Sequence, residues 1–176
     1  MDRVAFSILG VNIYWYGITA SLGVFLGVNV AYLLAKNRNK FLPDEIINVV
    51  LIALPFGIIG ARLYYILFRW DYYSQHMGEI IAIRDGGLAF HGGLILGIIV
   101  GIIYCRLRKI PLGHILDCCG PALLLGQGIG RWGNFFNQEA YGGIVSKPFI
   151  MHFPDFIQKG MLIEGEYRHP TFLYEF

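Results

Sequence analysis

The feature that most constrains this chain is a set of four long apolar segments separated by short polar stretches. The segments cover residues 14–35, 46–68, 88–105 and 112–129. A helix that crosses a bilayer needs about 20 mostly apolar residues, and each segment approaches or exceeds that length. Each also ends in charged residues, proline or glycine, as helix boundaries do. The sequence therefore predicts four transmembrane helices.

The overall composition agrees with a membrane protein. Hydrophobic residues make up 56% of the 176 residues and charged residues only 15%, which lies outside the usual balance of a soluble domain. The net charge is +2 and no long basic run is present, which argues against a nucleic-acid partner. The start MDRVAF is weakly charged and no convincing cleavage site follows it. We therefore expect the first segment to remain as a span and not to be removed as a signal peptide.

Basic residues in short loops predict the orientation of the spans. Positive charge collects in KNRNK at 36–40, after the first segment, and in RLRK at 106–109, after the third. Short loops of this kind lie on the cytoplasmic side. The N-terminus, the loop at 69–87 and the residues after 132 are then expected on the outer side.

These observations predict an all-α polytopic membrane protein, a glycine-rich transmembrane helix bundle with a small extracytoplasmic head segment. The bundle covers residues 1–131, the head covers 132–168 with short strands around KPFIMHF, and a further span begins within 169–176. Glycine and alanine recur at four-residue spacing, which favours close helix packing in lipid, although close approach of a lipid substrate is an alternative. The spaced small residues are Gly23 with Gly27, Gly57 with Ala61, Gly126 with Gly130, and Gly93 with Gly97 and Gly101.

Few ionisable residues lie within the apolar segments, and such residues are functional candidates because burying charge in a membrane is costly. Arg62 lies well inside the second segment, His91 opens the third and Arg131 closes the fourth. His114 and Asp117 lie early in the fourth segment. By the predicted orientation, His91 and Arg131 should lie near the same outer face.

Arg131 is followed at once by polar residues, in the sequence GRWGNFFNQEAYGG at 130–143. A lone terminal arginine would commonly extend to lipid headgroups, but Asn134, Asn137 and Glu139 form a dense polar cluster with it. A guanidinium beside amide donors is suited to holding a phosphate, and phospholipid headgroups are the phosphates at hand. We expect Glu139 to orient Arg131 or a histidine.

The sequence lacks several common nucleotide-binding and catalytic motifs. The sequence has no phosphate-binding G-x-x-x-x-G-K-[ST] loop, H-E-x-x-H zinc helix or G-x-S-x-G elbow. Three histidines lack partners at metal-ligand spacing and are expected to be structural: His76, His114 and His152. The three cysteines lie in or beside apolar segments and are interpreted as buried small hydrophobes. No metal site is predicted.

The stretch GRWGNFFNQEAYG resembles the signature of the bacterial prolipoprotein diacylglyceryl transferase family, which runs Gly-Arg-x-Gly-Asn-Phe-x-Asn-x-Glu-x-x-Gly. Further blocks of the chain resemble that family in the same order: WYGI, GARLYY, GGLAFHGGLILG and HPTFLYE. The eight matching signature positions are Gly130, Arg131, Gly133, Asn134, Phe135, Asn137, Glu139 and Gly142.

The resemblance implies transfer of an sn-1,2-diacylglyceryl group from phosphatidylglycerol to the lipobox cysteine thiol of a prolipoprotein signal peptide, with release of glycerol phosphate. It also implies a bacterial cell (inner) membrane location, with no metal or soluble cofactor. The family's catalytic positions carry over to Tyr16, His91 and Arg131. Substrate-binding roles carry over to Arg131, Asn134, Asn137, Glu139, Gly142 and Arg62.

A thiol of pKa about 8.5 needs deprotonation or nearby positive charge to attack, and His91 is the candidate base, with His169 as the second choice. Arg131 would stabilise charge growing on the departing phosphate. Members of the family normally continue through further spans beyond the HPTFLYE block, whereas this chain stops at Phe176. We therefore expect residues 1–176 to be inactive alone.

Two other function classes remain as alternatives. A small membrane transporter or channel-like protein would explain the glycines and the charges within the spans. A scaffold for another membrane complex would explain the spans. Neither accounts for the polar cluster after Arg131.

Overall fold

The computed structural model describes residues 2–38, 40–83 and 86–176, most of which are helical. Four long helices dominate, and short helices and strands fill the segments around them. In chain order the elements are β1 (Val4–Ile8), β2 (Val11–Tyr14), α1 (Trp15–Arg38), α2 (Asp44–Phe68), α3 (Trp70–Tyr73), a 3-10 turn (Met77–Glu79), α4 (Phe90–Leu107), α5 (Leu112–Asn137), α6 (Lys147–Ile150), α7 (Asp155–Gly160), β3 (Leu162–Ile163), β4 (Glu166–Tyr167) and α8 (Thr171–Tyr174).

The long helices lie where the apolar segments predicted them. Three of them, α1, α2 and α4, are long and apolar enough to cross a membrane, and large apolar side chains on them are widely exposed, as lipid-facing helices require. The all-α polytopic membrane architecture is thus confirmed. Helix α5 is continuous over 26 residues, but it is more polar than the other three, and its role as a fourth span stays a prediction.

The chain forms two compact units. The first comprises residues 1–31 and 119–176, and the second comprises residues 32–118. Helices α1 and α5 therefore contribute residues to both units.

In the second unit, α2 and α4 pack through glycines. A Cβ added to Gly60 would lie 2.5 Å from the carbonyl oxygen of Gly92, and one added to Gly93 would lie 3.1 Å from that of Gly57. Gly97 makes only an ordinary contact of 3.6 Å. Close packing is therefore confirmed for Gly57 and Gly93, whereas the closest approach lies at Gly60 and Gly92, which the four-residue spacing did not single out.

A polar network ties the start of α2 to the end of α4 in the same unit. The Glu45 carboxylate, which is buried, accepts hydrogen bonds from the hydroxyl of Tyr104 at 2.6 Å and from Nη2 of Arg108 at 2.8 Å. Nδ2 of Asn48 also donates to it, at 3.3 Å. Buried charge is tolerated because it is paired and hydrogen-bonded.

In the first unit, an antiparallel hairpin of β1 and β2 precedes α1. Leu9 and Gly10 form its turn, both with positive φ, at 49° and 80°. The sequence reading did not predict these strands. Helices α1 and α5 then approach closely, since a Cβ on Gly23 would lie 2.9 Å from the carbonyl oxygen of Gly126.

The head has its own apolar core, built against the last turns of α5. The buried members of this core are Phe135, Ile150, Ile157, Met161, Ile163 and Phe172. The prediction of strands around KPFIMHF is wrong, because Lys147–Ile150 is a helical turn with proline in its first positions. Proline has a φ suited to the first turn of a helix and lacks only an N–H that the turn leaves free. The strands lie later, at Leu162–Ile163 and Glu166–Tyr167.

Candidate functional site in the first unit and at the start of helix α4

Three of the polar residues after Gly130, namely Arg131, Asn134 and Asn137, lie on a helix and not in a loop. Helix α5 continues to Asn137, eight residues beyond the predicted end of the apolar segment. Arg131, Asn134 and Asn137 recur every three residues and so lie along one side of its last two turns. The helix ends where Gln138 takes a left-handed φ of 53° and its N–H bonds to the carbonyl of Phe135, a common form of helix termination.

The carboxylate of Glu139 organises this polar row. Its Oε1 accepts hydrogen bonds from Nδ2 of Asn134 at 3.1 Å and from Nδ2 of Asn137 at 3.3 Å. The side-chain oxygen of Asn134 in turn accepts a long hydrogen bond of 3.5 Å from Nη1 of Arg131. Asn134 therefore presents an acceptor to Arg131 in this structure, and Glu139 acts on Arg131 through Asn134.

The ion-pair partner of Arg131 is Glu175, in the HPTFLYE block. Nη2 of Arg131 contacts Oε2 of Glu175, and both side chains are partly exposed, at 26% and 41%. Sequence reasoning did not single out Glu175, because 44 residues separate it from Arg131 and no local pattern links them. The pair joins the end of α5 and the HPTFLYE block into one charged group.

Tyr16 packs against the same helix end. A Cβ added to Gly133 would lie 2.7 Å from Oγ1 of Thr19 and 2.8 Å from Cδ2 of Tyr16. One residue before Tyr16, the ring of Trp15 stacks on Phe136 with centroids 4.9 Å apart. The missing side chain of Gly133 is therefore what lets Tyr16 reach α5.

Gly142 and His169 are also brought together. The N–H of Gly142 donates to the carbonyl of His169 at 3.1 Å, and the N–H of His169 donates to the carbonyl of Gly143 at 2.9 Å. A Cβ at Gly142 would lie 2.6 Å from the Cβ of His169. The Nδ1 of His169 lies 3.0 Å from the hydroxyl of Tyr174, so this imidazole is oriented from within its own block.

His91 is the second residue of α4, in the second unit, and its side chain is exposed. Its ring lies against Tyr64 of α2, with centroids 6.4 Å apart and planes inclined by 29°. It also meets the edge of Phe90 at 5.9 Å. An exposed imidazole held by neighbouring rings is suited to accepting a proton.

Arg62 is buried, with only 6% of its surface exposed. Its guanidinium donates four hydrogen bonds to backbone carbonyls and lies over the ring of Tyr73, 5.2 Å from the centroid. The acceptors are the carbonyls of Glu79, Ile80, Gly86 and Gly87. Protein groups therefore engage the charge of Arg62 in this structure.

The residues between α2 and α4 whose carbonyls Arg62 contacts are held by one further hydrogen bond. The hydroxyl of Tyr72 donates to Oε2 of Glu79 at 2.9 Å. This hydrogen bond to a carboxylate raises the pKa of Tyr72 above its usual value.

The structure thus groups most of the predicted residues in the first unit. Arg62 and His91 belong to the second unit. The first unit contains Tyr16, Arg131, Asn134, Asn137, Glu139, Gly142 and His169. The expectation that His91 and Arg131 share one face stays a prediction. Within the described ranges, His, Cys, Asp and Glu side chains form no group of three that could hold a metal.

Comparison with known proteins gives a consistent picture. A family model described as prolipoprotein diacylglyceryl transferase matches residues 3–176. A phosphatidylglycerol–prolipoprotein diacylglyceryl transferase of Clostridium novyi (strain NT) is 51% identical over 175 residues, which cover 99% of this chain and 68% of that protein. Proteins of the same name from Clostridium botulinum (strain Langeland) and Streptococcus equi subsp. zooepidemicus are 50% and 49% identical. They are matched over 68% and 66% of their length, again with 99% of this chain covered.

Proposed function

The chain belongs to the prolipoprotein diacylglyceryl transferase family, and from that premise we propose that it transfers a diacylglyceryl group from phosphatidylglycerol to a prolipoprotein. The acceptor is the thiol of the lipobox cysteine in the signal peptide. The sulfur forms a bond to the glyceryl carbon while the bond from that carbon to the phosphate oxygen breaks, and glycerol phosphate departs. The thiol proton passes to a base. The names of the relatives do not favour the transporter and scaffold alternatives.

The observation that carries the proposal is the charged group on the last two turns of α5. Arg131 is partly exposed and is held by Glu175 and Asn134, so its guanidinium is fixed before a ligand arrives. A positioned cation stabilises the negative charge that grows on a departing phosphate more than it stabilises the bound lipid. Asn137 and Glu139 support this arrangement through their hydrogen bonds. Tyr16 packs against the end of α5, and Gly142 packs against His169 in the following segment.

We assign the proton-accepting role to His91, with His169 as the second candidate. His91 is exposed and lies against Tyr64, whereas Nδ1 of His169 is already engaged with Tyr174. This contact involves one ring nitrogen and orients the ring of His169, which is less exposed than His91 and so stays the second candidate. A neutral imidazole near pH 7 can accept the proton of a thiol.

The location is proposed from charge alone. Basic residues follow α1 and α4, which places those ends in the cytoplasm and the N-terminus outside. The protein is then a multi-pass component of the bacterial cell membrane. By the same charge argument, we expect the proposed site residues of α4 and α5 at the outer ends of those helices.

The test is transfer of labelled phosphatidylglycerol to a lipobox peptide by membranes that contain the complete gene product. We expect Arg131→Ala to lower the rate by about 100-fold or more, as removal of a main charge stabiliser does. His91→Gln should lower it strongly as well. Arg38→Ala is the matched control, because Arg38 also forms an ion pair, with Asp117 at 2.9 Å, but lies at the other end of α1.

Two outcomes would count against the proposal. If label reached the peptide at wild-type rates with both Arg131→Ala and His91→Gln, the site assignment would be wrong. If the wild-type protein transferred no label, the proposed reaction itself would be wrong and the transport alternative would return.

A further inference from the structure

Arg62 commits most of its hydrogen-bonding capacity to the protein itself. Nε donates to the carbonyl of Ile80 at 2.8 Å, Nη2 to that of Glu79 at 2.6 Å, and Nη1 to those of Gly86 and Gly87 at 3.0 Å each. Four of the five guanidinium donors are thereby used. The sequence resemblance implied that Arg62 binds the lipid substrate. A buried guanidinium with four of its donors already used has few donors left to bind a lipid phosphate.

The four carbonyls belong to two separate parts of the connection between α2 and α4. Two lie at the 3-10 turn and two lie just before α4, so one side chain of α2 joins both parts. Next to it, the N–H of Ala89 donates to the carbonyl of Ala61 at 3.0 Å. The final residues before α4 are therefore fixed to the C-terminal third of α2 by a cation and a backbone hydrogen bond.

Gly87 gives a second, independent sign that this approach is built into the chain. Its φ is +73°, and a Cβ at this position would collide with Nη1 of Arg62 and lie 2.9 Å from Cε1 of Tyr65. Gly86 also has a positive φ, +89°, but a Cβ there meets no atom of the described residues within 4 Å. Only at Gly87 does the absence of a side chain make room for Arg62.

The connection ends directly at the proposed base. Helix α4 begins at Phe90, and the ring of His91 packs on Tyr64, two residues after Arg62 on α2. The contacts that fix residues 86–89 against α2 therefore also fix the position of His91 in the first turn of α4.

We propose that Arg62 is a positioning residue, whose guanidinium holds the carbonyls of residues 79, 80, 86 and 87 and thereby places His91 at the start of α4. The effect on catalysis rests on the proposed function, whereas the anchoring of the connection does not. Lysine cannot replace Arg62 here, because a single ammonium presents three donors at one point and cannot span two segments.

The anchor is tested by amide hydrogen exchange of the peptide that covers residues 86–90, in the complete protein in detergent. We expect Arg62→Lys and Gly87→Ala each to speed exchange by about 10-fold or more, because each loosens the segment locally. Gly86→Ala measures the cost of a left-handed alanine alone. Gly78→Ala, where a Cβ meets no described atom within 4 Å, should leave exchange unchanged.

The positioning role is tested by kinetics in a double-mutant cycle with His91→Gln. We expect Arg62→Lys to lower kcat by about 10-fold or more, as displacement of a catalytic group does, with KM for phosphatidylglycerol nearly unchanged. In the His91→Gln background the same substitution should cost almost nothing further. A raised KM at constant kcat would show that Arg62 binds the lipid instead, and a full additive loss would show that it does not act through His91.

The failures are distinguishable. Unchanged exchange in both Arg62→Lys and Gly87→Ala, or equal exchange in Gly87→Ala and Gly86→Ala, would overturn the anchor whatever the activity. Absence of transfer by the wild-type protein would overturn the proposed function, and exchange would still decide whether Arg62 holds the connection.

Discussion

Replacing Gly133 with alanine should push Tyr16 away from the end of α5 while leaving the protein folded. The added Cβ would lie 2.7 Å from Oγ1 of Thr19 and 2.8 Å from Cδ2 of Tyr16. Thr19 cannot easily turn aside, because its hydroxyl is bonded to the carbonyls of Trp15 and Tyr16 at 3.1 and 3.0 Å. The ring of Tyr16 or the backbone of α1 must therefore move.

The size of the movement follows from ordinary contact distances. Non-bonded carbon atoms are comfortable at about 3.5 to 4.0 Å, so Tyr16 must shift by roughly 0.7 to 1.2 Å. A displacement of about 1 Å at a reacting group can cost about 100-fold in rate, and we expect transfer to fall by about 10- to 100-fold. Stability should fall by about 0 to 2 kcal/mol, because overpacking costs about 1–3 kcal/mol and alanine is favoured over glycine in a helix by about 1 kcal/mol.

Gly130→Ala is the matched control. Gly130 lies three residues earlier on the same helix and in the same signature, but a Cβ there meets nothing within 4 Å in the described part of the chain. Its activity should match the wild type, and its thermal stability should be equal or slightly higher. Equal transfer rates for the two variants, measured with labelled phosphatidylglycerol and a lipobox peptide, would refute the link between Gly133 and Tyr16.

Two further predictions use matched glycines. Gly142→Ala should lower the transfer rate by about 10-fold or more, because its Cβ would displace His169. Gly143→Ala is the control and should not lower the rate, because no described atom lies within 4 Å of its Cβ. Similar transfer rates for the two variants would show that His169 tolerates displacement. Gly92→Ala should destabilise the α2–α4 pair by about 1–3 kcal/mol, because its Cβ would meet the carbonyl of residue 60. Gly97→Ala, at an ordinary 3.6 Å contact, should be neutral or stabilising in thermal unfolding in detergent. Equal unfolding temperatures for the Gly92→Ala and Gly97→Ala variants would contradict this packing.

The helices were predictable because hydrophobicity alone marks segments that must lie in lipid. The same signal hides where α5 ends, since Arg131, Asn134 and Asn137 are polar and yet helical. It also hides which face of a uniformly apolar helix meets its neighbour. For this reason the stripe of Gly93, Gly97 and Gly101 only partly matches the closest contact, which falls at Gly92.

The site was predictable in its residues but not in its pairings. The signature identified Arg131 and Glu139, yet the partner of Arg131 is Glu175, and such long-range pairs leave no mark in local spacing. The strands assigned to KPFIMHF failed because Pro148 favours the first turn of a helix. The hairpin of residues 4–14 was missed because its apolar strands and the Leu9–Gly10 turn run directly into the first span.

Helix α5 carries the charged group on the same unbroken spiral that lies in the fourth apolar segment. Each residue of an α-helix advances the side-chain direction by about 100°. One residue gained or lost between 122 and 130 would therefore swing Arg131 off Glu175 and Gly133 off Tyr16 in a single step, however conservative the change in hydrophobicity. The rotational phase of helix α5 therefore sets where the guanidinium of Arg131 points, more than the chemistry of any loop does.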